Sequence, residues 1–345
     1  MRNTLVGFQT GVNLGGWISQ FREAKKEHFD TFITEKDIEQ IASWGMDHVR
    51  LPIDYTVIED DNTPFSYKEE GFAYIDRCIQ WCEAHELNII LDLHRTPGYA
   101  FHSLKENRLF EDESLQERFL DIWRTFAKRY QKCGRNVIFE LLNEIVEHNS
   151  DRWNKLSKRA IAAIREIDTE RVIILGGNHY NSVTTLKELD YIEDEKLVYT
   201  FHFYEPHIFT HQKASWEPPM KELNFEVSYP SGTEDYNKYL KQSEDFRRHL
   251  AFEERIGKDY IRRYLQPALE FIRERNIPLY CGEYGVIDHA PMESNLRWHE
   301  DVCDILIEYG IGRAVWTYKL MSFPMVDLSS EIRDDRLIKI VSKKK

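Results

Sequence analysis

The chain has 345 residues, 42% of them hydrophobic, which is enough for one large domain with an extensive core. A net charge of −13 excludes nucleic acid and anionic membrane surfaces as partners, since both select clustered Lys and Arg, and the only basic run is Lys343 to Lys345. The five cysteines lack ligand spacing, no stretch approaches the roughly 20 apolar residues of a membrane span, and Met1 to Gly11 has no apolar leader.

In chain order, Leu5 to Trp17 (LVGFQTGVNLGGW) reads as a first strand and its exit loop. Thr34 to Gly45 reads as a helix, with Thr34 as N-cap, Asp37 at the capping-box position and Gly45 as its stop. DHVRLP (47–52) is a second strand. Phe72 to His85 is an amphipathic helix with Ile75, Cys78, Ile79 and Cys82 on one face. NIILDLH (88–94) is a third strand, and Ser114 to Tyr130 a helix.

Asn136 to Glu144 is an apolar run that stops on an amide and a carboxylate, as a strand buried on both faces would. A helix from Asn149 to Ile167 leads to a fifth strand, Arg171 to Gly176, and a sixth, Leu197 to Tyr204. A helix from Ile261 to Arg275, a strand from Ile277 to Glu283, a helix from Glu293 to Tyr309 and a strand from Ile311 to Trp316 complete the set, with the tail free for a last helix. Strands alternating with helices predict an α/β fold, a single (β/α)8 TIM barrel filling residues 1–345. The interval between Leu197 and Ile277 is far longer than the others. Its excess, residues 205–258, is polar and predicts an inserted subdomain between strand six and helix six, over the barrel's carboxyl face and partly helical from Glu234 to Arg255.

Chemistry in such barrels gathers where the strands end. Read in order, those ends are Asn13, Arg50, His94, Asn143 with Glu144, His202 with Tyr204, Glu283 and Trp316. Two glutamates delivered at the same end of two buried strands are what glycoside hydrolysis uses. Glu140 shares strand parity with Glu144, points into the barrel and there needs a cationic partner or several donors. Trp17, His179, Tyr180 and Trp216 lie in loops above the strand ends, where sugar stacking and plain packing are equally open. Trp44, Trp81 and Trp123 lie on helices and belong to the core.

The ordered motifs GVNLGGW (11–17), VRLP (49–52), LDLH (91–94), FELLNE (139–144), HFY (202–204) and CGEYG (281–285), closed by Trp316, resemble glycoside hydrolase family 5 over essentially the whole chain. The stretch from Phe201 to Trp216 is similar to clostridial-type endoglucanases with a subdomain after strand six. The resemblance implies Glu144 as acid/base and Glu283 as nucleophile, with Arg50 and Tyr204 holding Glu283 ionised. Asn13, Arg50, His94, Asn143, His202, Tyr204 and Trp316 are then substrate-binding, Asn143 at the sugar 2-hydroxyl and Trp316 beneath the ring. It implies a retaining endo-β-glucanase cutting β-1,4 linkages in cellulose-like or mixed-linkage glucan, with a mannanase or glucomannanase as alternative. Neither metal nor other cofactor is expected, and a monomer is expected. From the residues alone, Asp92, His94 and His202 leave a metal-dependent barrel hydrolase open, whereas a non-catalytic sugar-binding barrel is expected to have lost one glutamate. Without a leader the chain reads as cytoplasmic, or as secreted if a leader has been removed.

Overall fold

The computed structural model describes residues 5–103, 105, 107–222, 226–234, 237 and 255–345. Eight parallel strands close a barrel: β1 (Thr10–Asn13), β2 (His48–Asp54), β3 (Asn88–Arg95), β4 (Val137–Glu140), β5 (Ile173–Gly176), β6 (Leu197–Phe203), β7 (Leu279–Tyr284) and β8 (Gly312–Val315). Every one of them is fully buried apart from the two ends of β3, which explains why they read as apolar runs rather than alternating ones.

The helices on the outside are α1 (Glu35–Ser43), α2 (Glu69–Ala84), α3 (Glu113–Tyr130), α4 (Asp151–Arg165), α5 (Lys258–Tyr264), α6 (Gln266–Arg275), α7 (Met292–Glu308) and α8 (Asp335–Val341). The Thr34 N–H donates to Asp37 Oδ2 at 2.8 Å, and Gly45 follows α1 at φ 80°, so both ends of that helix are set by the expected residues. Ile75, Cys78 and Cys82 of α2 are buried, and the five cysteines are free thiols.

Three details differ from the sequence expectation. The helix expected over 261–275 begins at Lys258 and is broken into α5 and α6 beside Pro267, whose ring removes a backbone donor. Between β5 and β6 the chain makes only a four-residue turn, Asn178–Asn181, and a 3₁₀ helix, Val183–Glu188, where Val and two Thr resist α-helix. The ladder of β4 ends at Glu140, four residues before the expected end, and Glu144 has φ 42°. The helix expected over 234–255 falls almost wholly outside the described residues.

The two ends of the barrel interior are chemically opposite. At the amino ends of the strands Phe8, Ile90, Ile138, Ile174, Val198, Tyr280 and Ala314 form a small separate apolar cluster. Its polar members are satisfied internally, with His48 Nε2 at 2.6 Å from Tyr280 Oη and His48 Nδ1 at 2.7 Å from Asp47. Toward the carboxyl ends the same interior fills with Arg50, Asp92, Glu140 and Glu283, all buried. Among the described residues no helix is long and apolar enough to cross a membrane.

Candidate active site

Parallel register brings the strand-end side chains together. Asn13 pairs with Arg50 across β1 and β2, Asp92 with Glu140 across β3 and β4, and Glu283 with His202 across β7 and β6. Arg50 is the hub, with no surface exposed. Its Nε and Nη2 donate to the two oxygens of Glu140 at 2.7 and 3.0 Å, and its Nη2 lies 3.1 Å from Asp92 Oδ2. Its Nη1 donates to Glu283 Oε1 at 2.8 Å and to Asn13 Oδ1 at 2.9 Å, while Nη2 also donates to Asn143 Oδ1 at 2.9 Å. A planar guanidinium with five donors satisfies this set, and an ammonium could not. The cationic partner that Glu140 needed is therefore Arg50.

Glu144 stands beyond the end of β4 on a segment held from several sides. Leu141 N–H donates to Ile174 O and Asn143 N–H to Leu93 O, both at 3.1 Å. The Trp123 indole donates to Leu141 O at 3.1 Å. The Tyr99 hydroxyl donates to Glu144 O at 2.8 Å and accepts from Val146 N at 2.7 Å. These contacts fix a non-glycine residue in the left-handed region, where it would not settle unaided. Tyr99 was not anticipated from sequence; it lies in the β3–α3 loop, and only the fold brings its hydroxyl to Glu144.

The two glutamates face each other, with at least one oxygen of each within 4.8 Å of the other. His202 Nδ1 is 2.8 Å from Glu144 Oε1 and 3.6 Å from Glu283 Oε2. The Tyr204 hydroxyl donates to Glu283 Oε2 at 2.9 Å. The surroundings treat the pair unequally. Burial pushes Glu144 well above the ordinary carboxyl range and the charge of Glu283 pushes it further, with Arg50 as the counterweight. Burial also raises Glu283, but Arg50 and the Tyr204 hydrogen bond oppose that rise. A single proton shared by the pair therefore rests on Glu144.

Asn143 keeps one donor free: Nδ2 is buried without a partner among the described residues, while Oδ1 is held by Arg50. His94 lies parallel to Trp316, ring centroids 5.8 Å apart, and its Nδ1 is 2.6 Å from Asp92 Oδ2. Burial raises Asp92 to about 7 and lowers His94 to about 4, so the His94 ring is neutral near pH 7. The Trp316 ring sits over Gly15, where an added Cβ would come within 2.8 Å of it, so only glycine fits there. Asn13, expected among the substrate-binding residues, lies beneath Arg50, whose Nη1 donates to its Oδ1 at 2.9 Å. It is fully buried, its Nδ2 donating to Gly282 O at 3.0 Å and Val315 O at 3.2 Å.

The loop aromatics separate cleanly. Trp17 is core, fully buried with its indole donating to Phe29 O at 2.9 Å. Trp216 is 55% and Tyr180 47% exposed, and His179 is exposed as well. Trp216 adjoins His211 and Phe323, which in turn pack on Tyr204. Among the described residues the one cluster with metal-donor geometry is Glu144, His202 and Glu283, without Asp92 or His94. Its donors are already engaged, since the Arg50 guanidinium lies 2.8 Å from Glu283 and would oppose a cation there.

Comparison with known proteins agrees with this geometry. The model of the family "Cellulase (glycosyl hydrolase family 5)" matches residues 9–322. The chain is similar to Endoglucanase C of Acetivibrio thermocellus, 48% identical over 342 residues, covering 99% of this chain and 100% of that protein. It is also similar to Cellodextrinase A of Ruminococcus flavefaciens, at 35% identity over 98% of this chain and 94% of that one. In fold it is similar to the clostridial cellulose synthase subunit Z of Clostridioides difficile, with TM-score 0.79, 24% identity and coverage of 97% and 100%. A family model spanning nearly the whole barrel, and a relative almost half identical from end to end, make this chain a glycoside hydrolase that belongs to glycosyl hydrolase family 5.

Proposed function

We propose that the protein is a retaining endo-β-glucanase acting on β-1,4 linkages in cellulose-like or mixed-linkage glucan, with Glu283 as nucleophile and Glu144 as acid/base. One observation carries the reading: two nearly buried glutamates with oxygens within 4.8 Å, one held by Arg50 and Tyr204 and the other by His202. Retaining enzymes hold their carboxyls about 5–5.5 Å apart, whereas inverting ones leave room for a water at about 6.5–9.5 Å.

In the first step Glu283 attacks the anomeric carbon while Glu144 gives its proton to the departing glycosidic oxygen. Arg50 and Tyr204 keep Glu283 ionised until the covalent bond forms. In the second step Glu144, now ionised, takes a proton from water, which displaces Glu283. Asn143 Nδ2 is the donor for the sugar 2-hydroxyl, and Trp316 with His94 lines the bound ring. Asn13 and Arg50 position the carboxylates rather than the sugar. All these groups come from one chain, so a monomer suffices.

The inserted segment at 205–258 extends the wall of the cleft next to Tyr204. Supporting this, its described part anchors to the β7–α7 side, with Tyr229 Oη donating to Asp301 at 2.7 Å and Ile287 N to Thr210 O at 2.9 Å. It also presents the exposed Trp216. Glucose and mannose differ at the 2-hydroxyl, the group that Asn143 Nδ2 faces in this reading, so the substrate panel separates the glucanase from the mannanase alternative. Reducing-sugar assays on barley β-glucan, carboxymethyl cellulose, glucomannan, mannan and xylan test the substrate, and NMR of the first product tests the stereochemistry. The reading expects β-glucans to be cleaved fastest, with the β-anomer formed first. Preference for mannan or an α-anomer product would overturn it.

A further inference from the structure

Glu144 has two carboxyl oxygens, and the proton bound for the glycosidic oxygen can sit on only one. Oε1 faces His202 Nδ1 at 2.8 Å. A neutral imidazole carries one N–H and one lone pair, so the group bonded to the far ring nitrogen decides what Nδ1 presents to the glutamate. That far nitrogen, Nε2, lies 3.2 Å from Asn181 Nδ2, its one hydrogen-bond partner among the described residues. An amide nitrogen only donates. With the amide turned this way Nε2 is the acceptor, and the ring proton belongs on Nδ1, which faces carboxylate oxygens of Glu144 and Glu283 at 2.8 and 3.6 Å, while Asn181 Oδ1 is left buried without a partner among the described residues. Burial, with Arg50 acting in the same direction, lowers His202 well below the ordinary histidine range and keeps the ring neutral.

Asn181 is placed by an unusual piece of backbone. His179, Tyr180 and Asn181 have φ values of 50°, 59° and 55°, three successive left-handed residues. Their loop is clamped to the segment that carries Glu144. Asn178 accepts from Glu147 N at 2.9 Å and donates to Glu147 O at 3.0 Å, and Tyr180 N donates to Ile145 O at 3.1 Å. The Asn181 side chain then turns inward and is fully buried against Gly176, where an added Cβ would come within 2.3 Å of Asn181 Oδ1. One loop thus fixes both the backbone beside Glu144 and the far side of the histidine that touches Glu144.

We infer that Asn181 is a positioning residue that holds His202 as the Nδ1–H tautomer, so that Glu144 Oε1 always accepts a hydrogen bond and the transferable proton is confined to Oε2. The inference rests on the acid/base role of Glu144. The arrangement serves both half-reactions without moving a ring proton. While Glu144 is protonated, Oε1 is occupied by the His202 N–H, and the acid proton is directed to the oxygen left for substrate. Once that proton has gone, the same N–H stabilises the carboxylate until it takes a proton from water.

Tautomers are read directly from ¹⁵N shifts of the imidazole in ¹⁵N-histidine-labelled protein, with the His202 signals identified by their loss in His202→Gln. The wild type is expected to show a protonated Nδ1 and an unprotonated Nε2; the opposite pattern overturns the inference. Asn181→Asp and Asn181→Gly both tolerate a φ of 55°, so a residue needed only for the turn would leave both variants like the wild type. The aspartate offers only acceptors. It is expected to move a proton onto Nε2 and to lower kcat on an aryl β-cellobioside by about tenfold or more, with KM within about twofold. The glycine variant should fall between. An aspartate variant with wild-type kcat overturns the inference even if the ring proton has moved. Failure of the underlying reading looks different: Glu144→Ala would keep its turnover, while the wild-type tautomer would still be seen.

Discussion

The two ends of the barrel interior are built from the same eight strands and do opposite work. At the amino ends an apolar cluster around Ile90, Ile138, Ile174 and Val198 closes the barrel. At the carboxyl ends one arginine is surrounded by three carboxylates, Asp92, Glu140 and Glu283, all of them buried. Buried charge is a poor source of stability, because desolvation offsets most of the attraction. The apolar end therefore holds the fold, and the polar end sets proton positions and charge at the cost of stability.

Substitutions at the two ends should separate these roles. The largest loss of activity is expected for Glu283→Ala and Glu144→Ala, on the order of 10⁴-fold in turnover of an unactivated glucan. Arg50 keeps Glu140 and Asp92 when Glu283 is removed, so the Glu283 variant should melt close to the wild type. Glu283→Gln also removes the negative charge that raises Glu144. The infrared carbonyl band of protonated Glu144 should then vanish at lower pH than in the wild type. Turnover within tenfold of wild type for either alanine variant would break the division between the ends.

Arg50→Lys should cost on the order of 10²-fold in turnover and also lower the melting temperature, since the one guanidinium serves both Glu140 and Glu283. A change in only one of the two would show that the carboxylates are not coupled through it. Trp216→Ala is expected to be milder, a loss of about tenfold or less on long β-glucans with little change on a small aryl glycoside. Equal losses on both would mean that Trp216 supports the fold rather than a sugar. The smallest effect on activity is expected at the opposite end. Ile138→Ala should destabilise by about 2–5 kcal/mol, while kcat per folded molecule stays within about twofold. A large kcat loss there would mean that the two ends are not independent.

The division also explains what was legible in the sequence. Strands buried on both faces leave continuous apolar runs, and the polar residues in or just after the runs land at the site, so His94, His202, Tyr204 and Glu283 could be named in advance. Arg50, expected at a strand end, stands within β2, which runs on to Asp54. Parity alone put Glu140 in the interior. Residues whose place depends on loop backbone were not legible. Tyr99 and Asn181 act on Glu144 and His202 from loops, through a hydrogen bond to a main-chain oxygen and a run of left-handed residues that no periodicity encodes. Trp17 illustrates the converse: its sequence position allowed sugar stacking, but its indole is fixed inside the core by Phe29 O. Asn13 stands at a strand end as expected, and its carboxamide accepts from Arg50 and donates to Gly282 O, partners that strand position cannot foretell.

The central claim is the unequal division of roles between Glu144 and Glu283, and azide rescue with an activated aryl β-glycoside tests it most directly. Without a nucleophile, azide enters the space that the side chain leaves and attacks the substrate itself, giving the α-glycosyl azide. Without the acid/base the glycosyl-enzyme still forms, and azide then displaces it to give the β-glycosyl azide. The account predicts the α-azide from Glu283→Ala and the β-azide from Glu144→Ala. The reverse assignment of products would contradict it.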